Sequence, residues 1–244
     1  MTTQIRKARE VAEREELLID LAIEIIEEHS FAQLTMDKLT ARSEYSKGTV
    51  YNHFTSKEDL WCALCARGLR LQKSMFGKLA NFKGNSRERI LALSFGYELF
   101  TLCYPILTMM SLRVMSPAVL EKASPTRIKE LAETEDEMVE MLKGMVETAM
   151  AKGELSRRYE DNLYQVTFAI WAMSFGSVTI LRNTTPTPCP CLGRIDADSA
   201  VLINASVVLD GLQWQPYSWD WDYKASWRRI AEEVFSEELA TLNK

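Results

Sequence analysis

The sequence predicts an all-α protein, a small three-helix head followed by a long helical body. Three observations predict it. Apolar residues recur at three- and four-residue spacing in one segment after another, and no strand-like alternation competes. Gly and Pro are few, 10 and 7 in 244 residues, and fall mainly between those segments. Hydroxyl side chains stand where several of the helices should begin.

Residues 10–29 read as the first helix, with Val11, Leu17, Leu18, Leu21 and Ile25 near helical spacing and acids opposite. Thr35 is placed to cap a second helix ending near Arg42, with Met36 and Leu39 turned inward. After a tight break, Ser46 caps a third. Ser56 caps a fourth that runs to about Leu79, with Glu58 and Asp59 in the first turn, where the helix dipole favours them. The stretch NFKGNS, residues 81–86, marks a boundary.

Beyond it, 87–103 reads as helix, Pro105 begins a short one, and Pro117 and Pro125 punctuate a connection. Residues 126–152 form an amphipathic helix through Ile128, Leu131, Met138, Leu142, Met145 and Ala149, with Glu135 in one slot of that stripe and Gly153 as C-cap. The segment 160–182 is apolar nearly all round, which predicts burial on both faces. Pro186, Pro188 and Pro190 make 184–195 a loop, another apolar helix spans 196–213, and 222–242 reads as a final amphipathic helix. The expected division is a three-helix head at 1–56, a connecting helix at 57–80, a larger helical domain at 81–215, and a C-terminal helix at 216–244.

Composition narrows the function. Asn162–Leu181 carries no charge and Leu91–Leu112 only Glu98, but internal polar residues and Pro105 favour buried helices over membrane spans. The charged N-terminus lacks the apolar core of a secretory signal, and five cysteines are an odd set, so reduced thiols in a cytoplasm are expected. Net charge is −5, yet it is unevenly spread. Arg6, Lys7 and Arg9 precede any acid. Residues 10–34 set Arg14 against eight acids, and residues 35–57 set four bases against Asp37 and Glu44. A locally basic face on an acidic support suits a phosphate backbone bound with strong salt dependence.

The most informative stretch is Ser46–Leu60, SKGTVYNHFTSKEDL. Following a capped helix and a tight break, it is arranged as the second helix of a helix-turn-helix, the element that enters the major groove. Gly48 lets backbone approach DNA closely. Lys47 suits a guanine edge or a phosphate, and Thr49 suits a thymine methyl. Tyr51, Asn52, His53 and Lys57 extend the set, while Val50 and Phe54 should face inward.

In order and spacing, Thr35–Leu60 resembles the recognition block of the tetracycline-repressor (TetR) family of transcriptional regulators, over roughly the first quarter of the chain. The resemblance implies DNA contacts at Thr35, Lys47, Thr49, Tyr51, His53 and Lys57, and a minor-groove or phosphate role for Arg6, Lys7 and Arg9. Tyr45, Ser46, Gly48 and Asn52 complete the expected interface. The family turn usually reads A-G-V; here it is Ser43, Glu44, Tyr45. A glycine's positive φ would strain Glu44, and Tyr45 is placed either to pack or to reach a base.

The resemblance also implies a homodimer on a pseudo-palindromic double-stranded operator, most often as a repressor released by a small-molecule effector. Ala169, Ala172, Gly176 and Ser177, with Ala200, Ala205 and Gly211, are the small residues expected at a four-helix dimer interface. Tyr97, Phe100, Cys103, Tyr104, Met109, Met110, Arg113, Met138, Met141, Trp171 and Phe175 are the expected effector lining, suited to an apolar or amphipathic molecule. Arg113 stands in an apolar run and needs a partner if buried; Glu135 or an anionic ligand would serve.

No nucleophile–base pair, glycine-rich phosphate loop or metal set is visible, so neither enzymatic activity nor a cofactor is expected. The alternative is a thiol-redox or metal-responsive regulator using Cys62 and Cys65, or Cys189 and Cys191.

Overall fold

The computed structural model describes residues 3–183 and 192–242, and every regular element among them is helical. The order is α1 (Thr3–Glu28), α2 (Met36–Arg42), α3 (Lys47–His53), α4 (Lys57–Gly77), α5 (Ser86–Cys103), α6 (Pro105–Val114), α7 (Pro117–Leu120), α8 (Pro125–Ala151), α9 (Leu163–Val178), α10 (Ala197–Gly211), α11 (Tyr223–Glu233) and α12 (Ser236–Leu242). Short 3-10 turns join several of these, and a π-helical turn, Thr179–Asn183, follows α9.

The chain forms two compact units, and neither is a single stretch of sequence. One is Met1–Gly68 with Ile106–Glu133; the other is Leu69–Pro105 with Thr134–Lys244. This differs from the contiguous division expected from the boundary signals, because α4 and α8 each run through the point of division.

In the first unit, α1 buries Leu18, Ile19, Ala22, Ile25 and Ile26. Leu17 and Val11, expected inside, are 53% and 41% exposed. The buried stripe is that of positions 18, 22 and 25 with 19 and 26, and Leu17 lies one step outside it. The core is completed by Leu34, Leu39, Val50, Phe54 and Leu60, all fully buried. The carboxylate of Asp59, itself buried, accepts from Thr55 N at 3.0 Å, Ser124 N at 2.9 Å and Ser124 Oγ at 2.8 Å. Ser56 caps α4 as expected, accepting from Asp59 N, and donates to Lys122 O.

In the second unit, α5 is the central rod and packs against α9, α10, α11 and α12. A capping box at Asn85 and Glu88 starts it. The fully buried Arg87 meets Asp210 at 2.6 Å and the Trp214 carbonyl at 2.8 Å, and its guanidinium lies over the Tyr223 ring. Gly96 is required by close approach: a Cβ there would stand 2.8 Å from the Phe235 ring. Gly153 ends α8 at φ 73°, the left-handed conformation a C-cap glycine supplies.

The 160–182 segment is a 3-10 turn, α9 and the π turn, and its two faces are not both covered. Tyr164, Phe168, Trp171 and Ile180 are 40–60% exposed, and on α10 Ile203 and Val207 are 54% and 66% exposed. Among the described residues, Arg157–Arg182 is the one unbent helical stretch long and apolar enough to cross a bilayer.

Candidate nucleic-acid interface

The second and third helices are held by short polar side chains at their ends. Thr35 Oγ1 accepts from Lys38 N at 3.2 Å and starts α2. Ser43 ends it: its N–H donates to Leu39 O, its hydroxyl donates to Thr40 O, and the same oxygen accepts from Tyr45 N. That arrangement carries the turn without a left-handed residue. Glu44 does not have positive φ, so the strain expected there is absent. Ser46 then caps α3, its Oγ accepting from Thr49 N at 3.2 Å and lying 2.9 Å from Thr49 Oγ1.

Val50 and Phe54 face inward, fully buried, and fix the rotation of α3. That rotation leaves Lys47, Gly48, Tyr51 and Asn52 exposed. A Cβ on Gly48 would meet nothing closer than Ser46 Oγ at 3.9 Å, so the chain's own packing does not demand a glycine. Its bare backbone is open to an outside partner. Lys47 Nζ sits 2.8 Å from Asp37 Oδ1 and 5.6 Å from the Tyr51 ring centroid. The Asp37 hydrogen bond, with its charge, raises the basicity of Lys47. Tyr45 does not stand free either; the Arg14 guanidinium lies over its ring at 5.2 Å.

Two expected contacts turn away from this face. The His53 side chain is 6% exposed, with Nδ1 3.4 Å from Glu15 of α1. It holds α3 to its support and offers no surface to a phosphate. Lys57 donates to Phe31 O at 3.3 Å and lies over the Trp61 ring; burial holds its pKa below the usual lysine range, with Arg113 adding to the effect. The expected arm is not an arm: residues 3–9 are the first turns of α1, where Arg6 and Arg9 pair with Glu10 and Glu13. Arg42 is spent on Glu28 and Glu24. The face is therefore less basic than its composition suggests.

The expected effector residues divide between the units. Met109, Met110 and Arg113 lie on α6 in the first. The second holds Tyr97, Phe100, Cys103, Tyr104, Met138, Met141, Trp171 and Phe175. There Trp171 stacks on Phe175 at 5.1 Å, Phe175 lies 6.4 Å from Tyr97, and Phe100 lies 5.3 Å from Tyr104. A shallow depression of about 320 Å³ in that unit is walled instead by Arg158, Tyr159, Asn162, Gln165, Val166, Ala169 and Leu212. Arg113 stacks on Phe31 and Trp61 within its own unit, while Glu135, its suggested partner, is an exposed residue of the other.

The small residues expected between subunits are also divided. Ala200 and Ala205 are buried within the chain, so they belong to its own core. Ala169, Ala172, Gly176 and Ser177 are half-buried, Ser177 accepting from Asn204, and Gly211 is exposed. Cys62 and Cys65 are both buried, and burial pushes the Cys62 thiol up to about 11, away from the reactive thiolate. Cys189 and Cys191 lie outside the described residues. Among the described residues no three metal-ligating side chains gather.

Residues 18–64 match the family described as bacterial regulatory proteins, tetR family. No curated protein matches the sequence. Among solved structures the chain is similar to a protein of unknown function from Rhodococcus sp. RHA1, with 19% identity and a TM-score of 0.63 over 82% of this chain and 95% of that one. It is similar to a TetR/AcrR-family transcriptional regulator from Thermobifida fusca YX-ER1, with 23% identity and a TM-score of 0.59 over 82% and 98%. It is similar too to the transcriptional regulator FadR from Bacillus subtilis, solved with stearoyl-CoA, with 17% identity and a TM-score of 0.58 over 80% and 97%. At these identities the likeness is one of fold.

Proposed function

We infer that the chain is a transcriptional regulator of the TetR family that reads a pseudo-palindromic operator as a homodimer and leaves it when a small-molecule effector binds. Regulators of this family are not enzymes. The observation that carries the reading is the exposed first turn of α3. Lys47, Gly48, Thr49, Tyr51 and Asn52 surround a capped helix start, while Val50 and Phe54 anchor it from behind. A helix presented by its N-terminal turn reaches base edges, and hydroxyl, amide and ammonium groups are the ones that read them. Thr35 and Tyr45 flank it in sequence, and of the three bases at the start of α1 Lys7 carries a charge that Glu10 and Glu13 do not offset, unlike Arg6 and Arg9.

One such helix makes too few base contacts for an operator, whereas a dimer reads two half-sites about 34–36 Å apart. The exposed apolar face of α9 and α10, with Phe168, Trp171, Ile203 and Val207, supports dimerisation: a second copy would remove it from water. Small residues at Ala169, Ala172 and Gly176 allow close approach there. The aromatic ladder Tyr97–Phe175–Trp171 supports an apolar or amphipathic effector. A coupling of about 1–3 kcal/mol between effector and operator is typical of such linkage. FadR of Bacillus subtilis was solved with an acyl-CoA, and an acylated ligand is one class to test.

The experiment is a pull-down of genomic fragments with the purified protein, followed by mobility shifts on the recovered site. Binding lost on Lys47→Ala or Tyr51→Ala, with the fold intact, is the expected result. A protein that ignores duplex DNA at low ionic strength refutes the reading.

A further inference from the structure

In the first unit two cations converge on the Trp61 ring. Arg113, in the last turn of α6, lays its guanidinium 4.7 Å from the Phe31 ring centroid and 5.7 Å from that of Trp61. Lys57 Nζ lies 5.0 Å from the centroid of the same Trp61 ring and donates to the Phe31 carbonyl. Neither cation makes an ion pair with a described residue. Glu58 is close enough to favour the charged Lys57, but its ion-pair partner is Lys122 at 3.4 Å. Two shielded donors at the cluster are left over: Arg113 Nε and Trp61 Nε1 have no hydrogen-bond partner. All four residues are only half-buried, so the cluster opens to solvent at its edge.

The C-terminus of α6 eases the Arg113 charge, and the aromatic rings ease both cations. They do not supply what the unpaired N–H groups lack. A buried donor left without an acceptor is costly, and this cluster holds two. An oxyanion answers both needs at once, since it neutralises a cation pair and accepts hydrogen bonds from guanidinium, indole and ammonium. Half-buried Met109, one turn before Arg113, and exposed Leu112 and Met115 supply apolar surface on the same helix and just past its end.

We propose that Lys57, Trp61 and Arg113 form an oxyanion-binding site that takes the carboxylate or phosphate head of a small amphipathic molecule. The binding stands on this geometry alone; only its effect on DNA rests on the regulatory reading above. Because Lys57 opens α4 four residues after the recognition helix ends, a head group there acts close to the DNA-reading helix.

The test is a titration of the ¹⁵N-labelled full-length protein at constant ionic strength, followed by NMR. The probes are octanoate, inorganic phosphate and, as control, chloride. The Arg113 Nε–H and Trp61 indole signals are assigned with Arg113→Lys and Trp61→Phe. The expected result is a saturable downfield shift of both signals with octanoate or phosphate and none with chloride; whichever probe saturates at lower concentration identifies the head group. Arg113→Gln should abolish the indole shift, and Lys57→Gln, which tests the same site if the first variant does not fold, should weaken binding about tenfold. No saturable shift with either probe, or an indole shift unchanged in both variants, overturns the proposal. Mobility shifts on the same samples keep the two readings apart. Intact DNA binding without an anion response sinks the site alone, and an anion response without DNA binding sinks the operator reading alone.

Discussion

Lys47 and Asp37 form an ion pair across the helix-turn-helix, Nζ to Oδ1 2.8 Å, on the face proposed for DNA. Both side chains are mostly exposed, so the pair contributes little to stability. Its effect is on binding, because a phosphate must compete with Asp37 for the same ammonium. Asp37→Asn should raise affinity for DNA several-fold at low salt. Lys47→Ala should lower it and reduce the slope of log affinity against log salt by about one. Fluorescence anisotropy over a salt series reads both. Equal affinity in Asp37→Asn and wild type would show that Lys47 does not meet a phosphate.

Ser46→Ala removes the oxygen that accepts from Thr49 N. Loss of an N-cap costs about 1 kcal/mol, equivalent to about 2–4 °C in Tm for a chain of this size. Because the cap also positions Thr49, operator affinity should fall by more than the small stability loss explains. Calorimetry with a parallel DNA titration checks the two effects, and Ser46→Asp, which restores the cap, should recover the Tm but not the binding.

Asp210→Ala strands Arg87, which is fully buried. Removing one partner of a buried pair costs about 3–5 kcal/mol, measurable by urea unfolding. The pair also sets an acid limit. Burial pushes the Asp210 pKa up, but the hydrogen bonds from Arg87 and Ser218 outweigh it and hold the carboxyl below its ordinary value. Its contribution is therefore present above the unfolded pKa, near 4 by ordinary values, and is lost as pH falls through the folded one. Asp210→Asn should show a shallower loss of stability over that acid range than the wild type.

Val207→Glu and Phe168→Glu place charges on the exposed apolar faces of α10 and α9. Each should convert a dimer to a monomer in light scattering, with helicity unchanged. Binding to a two-half-site operator should then fall at least tenfold. Dimers that survive both changes would move the subunit contact elsewhere.

With its thiol raised to about 11, Cys62 holds only about one thiolate in a thousand at pH 8. A disulfide reagent added to the folded protein should leave Cys62 and buried Cys65 unmodified until denaturant is present. Rapid modification of Cys62 in the native state, with loss of DNA binding, would restore the redox reading.

Much of this was legible in the sequence because it depends on neighbours. Caps at Thr35, Ser46 and Ser56 act over three residues, so spacing reveals them. The inward turn of Val50 and Phe54 follows from helical periodicity. What escaped depends on distant partners. Nothing local to His53 says that Glu15 waits 38 positions earlier, or that Arg42 is taken by Glu28. The unit division was hidden for the same reason. Gly, Asn and Pro mark where the chain bends, but Asp59 binding Ser124 decides which pieces belong together. On α9 an apolar surround predicted burial, and the single chain leaves one side bare.

The pairing of residues 1–68 with 106–133 has a practical result for anyone wishing to transplant the reader head. A fragment cut after α4 would leave the Asp59 carboxylate with two of its hydrogen-bond donors missing and Glu15 without Arg127. Chimaeras that splice at a single junction should therefore be poorly folded. Those that carry both stretches across together, with breakpoints near 68, 106 and 133, should give a stable graft.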